Sequence, residues 1–313
     1  MQTLAVVLEE PEKLDLRPLD LTEPQDGDVV VDIDWSGIST GTERLLWSGR
    51  MPSFPGLGYP LVPGYEFVGR ITGAGSGATA RIGDFVFVPG AACFGEVRGL
   101  FGGAASRLIV NGDRALPIPE RLGEEGCLMA LAATAYHAIA VEGAALPQLI
   151  VGHGVLGRLM ARLAMALGGE APTVWENDPR RRSGSTGYPV VAPEDDAQAG
   201  YRCVCDVSGD SAVLDTLIAR LGKGGEIVLA GFYGAPLSFA FPPAFMREAR
   251  IRIAAEWQPA DLIAVRELVE DGRLSLDGVI THRSPARLAA DAYRTAFGEP
   301  DCLKMILDWR DAR

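Results

Sequence analysis

A chain of 313 residues with 48% hydrophobic and 22% charged residues is long enough for two folded domains and has the balance of an ordinary globular protein. Its net charge of −12 argues against a nucleic-acid or anionic-membrane partner, since either requires a basic face. Met1-Gln2-Thr3-Leu4 runs at once into Glu9 and Glu10 without a signal-peptide pattern, and no apolar stretch reaches the ~18 residues that span a bilayer, so a cytoplasmic protein is expected.

The first ~120 residues alternate short apolar runs with glycine and proline turns. Leu4–Leu8, Asp28–Asp34 and Asp84–Val88 read as strands, and Val62–Gly69 as a further β segment. This is the pattern of a small β domain that closes into a barrel. Gly126–Glu142, rich in alanine and leucine, reads as a helix.

Then comes Leu149-Ile150-Val151-Gly152-His153-Gly154-Val155-Leu156-Gly157, an apolar run followed by glycines in the spacing G-x-G-x-x-G, and then a helix over 158–167. Strand, glycine turn and helix in that order suit a dinucleotide. Gly152 permits the tight turn, Gly154 lets a pyrophosphate approach the backbone, and Gly157 lets helix and strand pack closely. The helix N-terminus offers unpaired N–H groups to the phosphates. With 38 glycines in the chain the motif alone is weak, and a glycine loop between core elements is the plain alternative. Pro172–Trp175 reads as the next strand, and Glu176 ends it nineteen residues past Gly157, where an acid binds ribose hydroxyls. Strands at Tyr201–Val207, Glu226–Ala230 and Arg250–Ala255, with a helix over Val213–Leu221, complete a doubly wound parallel α/β sheet of Rossmann type. Ligands belong at the carboxyl ends of such strands, where Glu176, Ser208, Gly231 and Phe232 fall.

The tail reads as a helix over Ala260–Asp271, a short strand over Val279–His282, a helix over Pro285–Phe297 and a strand over Cys302–Trp309. It is expected to rejoin the first domain, giving a discontinuous domain of residues 1–131 and 258–313 around a dinucleotide domain of residues 132–257. Cys93, Cys127, Cys203, Cys205 and Cys302 form neither a disulfide framework nor a clustered zinc set, and are read as reduced thiols.

Several segments carry a resemblance over the whole chain. Gly37-Ile38-Ser39-Thr40-Gly41-Thr42-Glu43, Pro63-Gly64-Tyr65-Glu66-Phe67-Val68-Gly69, Gly83-Asp84-Phe85-Val86 and Ala133-Thr134-Ala135-Tyr136-His137-Ala138 resemble motifs of the medium-chain dehydrogenase/reductase superfamily. That likeness implies a GroES-like β-barrel catalytic domain beside the Rossmann domain, and Thr134 with the cofactor residues. Where zinc members place cysteine, histidine and a third acid or cysteine, this chain has Ser39 or Thr40, Tyr65, and Met129 or Ala130, so the resemblance implies a zinc-free enzyme. Longer blocks narrow it, among them Tyr59–Glu66, Val97–Ala104, Glu256–Leu262 and Cys302–Trp309. They are similar to the bacteriochlorophyll-pathway oxidoreductases, which oxidise the 3-(1-hydroxyethyl) group of bacteriochlorophyllide a, or the related chlorophyllide, to 3-acetyl with a nicotinamide.

Without a metal, a side-chain hydroxyl or base must take the alcohol's proton. Thr40 or Ser39 is expected to hydrogen-bond the substrate oxygen, with Tyr65 and Glu66 taking the proton onward. The alternatives are turn-forming hydroxyls, a packed tyrosine, and a Glu66 paired with an arginine. His153, inside the turn, could approach the pyrophosphate or the substrate; His137 and His282 read as structural. The cofactor set is then Thr134, Gly152, His153, Gly154, Val155, Leu156, Gly157, Glu176, Ser208, Gly231 and Phe232. Glu176 favours NAD over NADP, although Arg180, Arg181 and Arg182 could hold a 2′-phosphate. The loops 47–59 and 94–101, with Met51, Phe54, Leu57 and Phe94, are candidates to line a macrocycle cleft. Pairing of the Rossmann sheet edge would give a homodimer. A zinc-free quinone or enone reductase and a non-catalytic dinucleotide-binding relative remain the rival readings.

Overall fold

The computed structural model describes residues 1–312, Ala80 by its backbone alone. The chain divides into two compact units, Met1–Ala130 with Ile280–Arg313, and Leu131–Val279.

In the first unit, alternating apolar residues build two sheets. Strand Asp28–Ile38 is the hub of a seven-stranded sheet, flanked by Phe67–Ala74 and Met305–Asp308, with Arg107–Asn111 pairing along its first half. Gln2–Glu10 leads a four-stranded sheet with Lys13–Asp20, Leu61–Val62 and Arg98–Gly99. The segment 104–106 ties the two together. Val6 N–H donates to the Ala104 carbonyl, and Ser106 N–H to that of Leu4, each at 2.8 Å, and Ile33 N–H donates to Ser106 at 2.9 Å. Val6, Val7, Val29, Val31, Phe67 and Trp309 are wholly buried in one core drawn from both sheets.

The second unit is a six-stranded parallel sheet. Its order is Val190–Val191, Thr173–Trp175, Leu149–Val151, Tyr201–Asp206, Leu221–Leu229 and Arg250–Ile253. The chain runs outward from Leu149–Val151 in one direction, then returns to its other side at Tyr201–Asp206. That reversal is the topological switch point, and crevices outside the strand ends there hold ligands. Helix Val155–Ala166, with Leu159, Met160 and Leu163 fully buried, packs on this sheet.

Several details depart from the sequence reading, three of them with a clear physical reason. The stretch 258–279 sits with the second unit rather than the first. Asp261, at the start of helix Pro259–Glu270, accepts from Gln258 N–H at 2.7 Å and lies 2.8 Å from His137 Nδ1. Arg162 donates to the carbonyls of Ser275 and Asp277 at 3.0 and 2.9 Å, which fastens the rest of the stretch. The helix expected over Gly126–Glu142 is confined to Met129–Ile139, behind a run of tight turns broken at Gly123, whose φ is 47°. The tail strand spans His282–Pro285, three residues later than expected, because Thr281 and His282 N–H both donate to the Lys304 carbonyl and set the register there. Among the described residues no helix is long and apolar enough to cross a membrane.

Candidate active site

Each glycine of the turn has a separate steric reason. Gly152 has φ +104°, and its N–H donates to the Trp175 carbonyl at 2.9 Å. A Cβ on Gly157 would stand 1.9 Å from the Gly152 carbonyl oxygen, so the helix approaches the turn this closely only without one. A Cβ on Gly154 would meet nothing within 4 Å, which leaves the face over the turn open. No side chain caps the helix that begins at Val155, so the amides at its start, Val155, Leu156 and Gly157 among them, are available to an anion. These residues fit a dinucleotide pyrophosphate.

Glu176 follows strand Thr173–Trp175. Its Oε2 accepts from His153 N–H at 3.1 Å and its Oε1 from Asp178 N–H at 2.9 Å. Each oxygen keeps a second lone pair for a ligand hydroxyl. The His153 side chain does not face the turn's mouth. It is fully buried, with Nδ1 2.6 Å from the Arg181 carbonyl and Nε2 3.0 Å from Tyr188 Oη. Burial pulls its pKa down to about 4, against the pull of the Arg181 carbonyl and with Arg158 repelling the charged form. The ring is therefore neutral, donating through Nδ1–H and accepting at Nε2. An approach of this imidazole to pyrophosphate or substrate is corrected by that burial; only the His153 backbone N–H remains at the turn.

The arginine run is largely engaged. Arg180 pairs with Asp178 at 2.7 Å, and Arg182 donates to the Glu176 and Asn177 carbonyls at 2.8 and 3.1 Å.

At the end of the neighbouring strand the buried Asp206 organises the backbone. Its Oδ1 accepts from Ser208 N–H at 2.9 Å and Ser208 Oγ at 2.7 Å, and its Oδ2 from Tyr233 Oη at 2.7 Å. Its carbonyl accepts from Gly231 N–H at 3.1 Å. Burial raises the Asp206 pKa, against the opposing hydrogen bonds of Ser208 and Tyr233. Phe232 is 51% exposed and Thr134 half-buried. Asp206 and Tyr233 were not singled out in the sequence. The signal is an acid closing a strand whose other buried residues are apolar.

In the first unit, Ser39 and Tyr65 meet. Ser39 Oγ lies 2.7 Å from Tyr65 Oη, which also donates to Thr42 Oγ1 at 3.5 Å. Phe101 packs edge-on against the Tyr65 ring at 5.3 Å. Thr40 sits in the turn beside Ser39, half-buried. Burial, reinforced by Glu66, raises the Tyr65 pKa above its ordinary value, so it stays a phenol at neutral pH. Glu66 goes elsewhere. Both of its oxygens accept from Lys304 Nζ, at 2.9 and 2.7 Å, and the same ammonium donates to the Ile38 carbonyl at 3.2 Å. Its partner is thus a lysine rather than an arginine.

Beneath this pair lies a second buried acid. Glu43 Oε1 accepts from Ser39 N–H at 3.0 Å, and Oε2 from Tyr293 Oη at 2.5 Å. Desolvation lifts its pKa to about 7, against the hydrogen bonds of Tyr293 and Ser39, with Glu66 raising it further and Lys304 lowering it. Sequence reading missed Thr42, Glu43, Tyr293 and Lys304 as members of this cluster. Lys304 alone left a signal, a cation within the otherwise apolar run 302–307. The donors here do not suit zinc, and among the described residues no three His, Cys, Asp or Glu side chains gather as a ligand set. Of the loop residues named for a macrocycle, Met51 and Phe94 are buried in core clusters, whereas Phe54 and Phe101 are more than a third exposed, at 37% and 36%.

A parallel sheet with a glycine turn at its switch point, in one chain with a two-sheet β unit, is a dehydrogenase architecture of the medium-chain class. The alcohol dehydrogenase GroES-like domain matches residues 25–120. The fold resembles an alcohol dehydrogenase from E. coli CFT073 complexed with cofactor NADH, with 19% identity, TM-score 0.84, and 98% and 99% of the two chains covered. It also resembles a dehydrogenase from Sinorhizobium meliloti bound to NADP, with 22% identity, TM-score 0.82, and 98% and 99% covered. The 2-desacetyl-2-hydroxyethyl bacteriochlorophyllide A dehydrogenase of Rhodobacter capsulatus is 58% identical over 314 residues, 100% of each chain. The chain belongs to the family of these bacteriochlorophyllide dehydrogenases.

Proposed function

We propose that this protein oxidises the 3-(1-hydroxyethyl) group of bacteriochlorophyllide a, or of the related chlorophyllide, to 3-acetyl in bacteriochlorophyll synthesis, using NAD and no zinc. The observation that carries the reading is the full-length 58% identity to the Rhodobacter capsulatus dehydrogenase. A bound nicotinamide supplies the hydride acceptor. Gly152, Gly154 and Gly157 with the amides of Val155 and Leu156 would hold its pyrophosphate, Glu176 its adenosine ribose, and Thr134, Ser208, Gly231 and Phe232 the remainder. Glu176, with two free lone pairs and no phosphate-ready arginine beside it in Arg180 or Arg182, supports NAD over NADP.

The chain's own hydroxyls handle the alcohol. Thr40 and the Ser39–Tyr65 pair hydrogen-bond the substrate oxygen. The proton passes along Ser39 and Tyr65 to Thr42, each hydroxyl accepting one proton as it releases another, and the half-buried Thr42 hands it to solvent water. Tyr65 does this as a phenol, since its raised pKa excludes a standing phenolate at neutral pH. Glu66, held by Lys304, serves by fixing the segment that carries Tyr65. Phe54 and Phe101 offer apolar surface to a macrocycle.

The reading places the reaction in the cytoplasm, where the five buried free cysteines persist as thiols. It also takes the protein as a homodimer. Strand Arg250–Ile253 ends the sheet with an unpaired edge, and Ile253, Phe241, Phe245 and Met246 are 76%, 66%, 65% and 71% exposed around it, which supports sheet extension by a second copy.

The test is incubation of the purified protein with NAD and 3-hydroxyethyl bacteriochlorophyllide a. Red-shifted 3-acetyl pigment forming together with NADH is the expected result. No pigment change with either NAD or NADP overturns the reading.

A further inference from the structure

The glycine turn and the loop that follows Glu176 are joined by a buried clamp. Arg158, in the first turn of helix Val155–Ala166, is 6% exposed and uses all three guanidinium nitrogens on backbone carbonyls. Nε donates to His153 at 3.1 Å, Nη1 to Gly184 at 3.0 Å, and Nη2 to Arg181 at 3.1 Å and Ser183 at 2.8 Å. Gly184 has φ +78°, and a Cβ there would stand 2.5 Å from Nη1, so only glycine admits the approach. His153 adds a second grip on the Arg181 carbonyl through Nδ1, and Tyr188 Oη, donating to Nε2, closes the far end of the loop. A cation buried among four carbonyls is costly to disturb, because its charge would lose four acceptors.

The clamped loop is the one that carries Arg180, Arg181 and Arg182 past the Glu176 carboxylate. In the clamped conformation Arg180 lies on Asp178, and Arg182 is folded back onto the Glu176 and Asn177 carbonyls. His153 N–H, at the same junction, holds Glu176 Oε2. One device therefore holds Glu176 Oε2 and the loop whose Arg180 and Arg182 are engaged on Asp178 and on the Glu176 and Asn177 carbonyls.

We propose that Arg158, His153 and Tyr188 are positioning residues that set the choice between a free ribose and a 2′-phosphorylated one. Releasing the clamp lets the arginine-bearing loop swing toward the ribose end and loosens Glu176. The discrimination between the two dinucleotides then narrows. The inference rests on the NAD reading above.

Titration of the folded protein with NADH and with NADPH, followed by fluorescence, gives the two Kd values directly, without substrate or turnover. In the wild type NADH binds tighter. In Arg158→Met and Tyr188→Phe the ratio of the two Kd values narrows, by about tenfold in the arginine variant, the scale of a single charge-assisted hydrogen bond. Arg220→Met is the comparison. Arg220 is another arginine on carbonyls, donating to Asp196 and Gln198 at 2.6 and 2.8 Å, and its loss lowers Tm while leaving the ratio unchanged. If Arg158→Met fails to fold, Tyr188→Phe, which keeps the ring and loses only the hydroxyl, carries the test. A wild-type preference for NADH that both variants retain overturns the clamp and leaves the NAD reading standing. A wild type that binds NADPH tighter overturns the NAD reading itself, and the clamp's role with it.

Discussion

Lys304 Nζ lies 2.7 Å from Glu66 Oε2 with both side chains almost completely shielded from water, at 1% and 0% exposure. A buried pair of this kind offsets its own desolvation only while both partners are present. Lys304→Met strands the Glu66 carboxylate and is expected to cost about 3–5 kcal/mol in urea unfolding. The double variant Glu66→Leu with Lys304→Met removes the stranded charge and recovers most of that loss. A double variant as unstable as the single one would show that the pair's role is packing, not charge.

Glu43 supplies a pH signature. Its pKa is 4.5 in an ordinary carboxyl and about 7 in the fold, raised by burial first. The folded state therefore holds this proton more tightly than the unfolded chain does. The contribution is fully present below pH 4.5 and is lost as pH rises through 7. Its size is on the order of 3 kcal/mol. Glu43→Gln keeps an acceptor for Tyr293 but has no proton to lose, so its Tm should run flatter than the wild type's across that window. Parallel Tm curves for the two proteins would contradict the assignment.

His153 acts at lower pH. Its pKa falls from 6.5 to about 4 because burial disfavours the imidazolium. Below pH 6.5 the unfolded chain takes up the proton and the native state does not, so this histidine makes stability decline from pH 6.5 toward 4. His153→Asn should weaken the acid-side decline in chemical denaturation measured at several pH values, whatever it costs at neutrality.

The hydroxyl pair is tested by turnover. Tyr65→Phe and Thr40→Val should each lower kcat by about 10²-fold or more, the lower range for a general acid–base group, while the Kd for NADH changes little. Full alcohol oxidation in both variants would remove Tyr65 and Thr40 from the reaction.

Association is tested at the sheet edge. Ile253→Lys puts a charge on the outermost strand, a substitution that blunts edge pairing. Light scattering should report a dimer for the wild type and a monomer for the variant. A wild-type monomer at micromolar concentration would end the dimer proposal.

The features legible in the chain alone are the local ones. The glycine turn, its flanking strand and helix, and the acid at Glu176 follow from φ/ψ freedom and spacing within 28 residues. That Ser39, Tyr65 and Met129 carry no thiolate, imidazole or carboxylate is likewise written in residue identity. The tertiary structure decided where the side chains of those motifs point. Tyr65 and Glu66 are adjacent in sequence, yet one reaches Ser39 and the other Lys304, 238 residues away. Glu43 finds Tyr293 across 250 residues, and His153, in the middle of the glycine turn, is drawn into the interior by Arg181 and Tyr188. Such pairings arise because a buried polar group must find a partner inside the fold. Which partner stands within reach is set by the packing of strands and loops, and no short window of sequence contains that information.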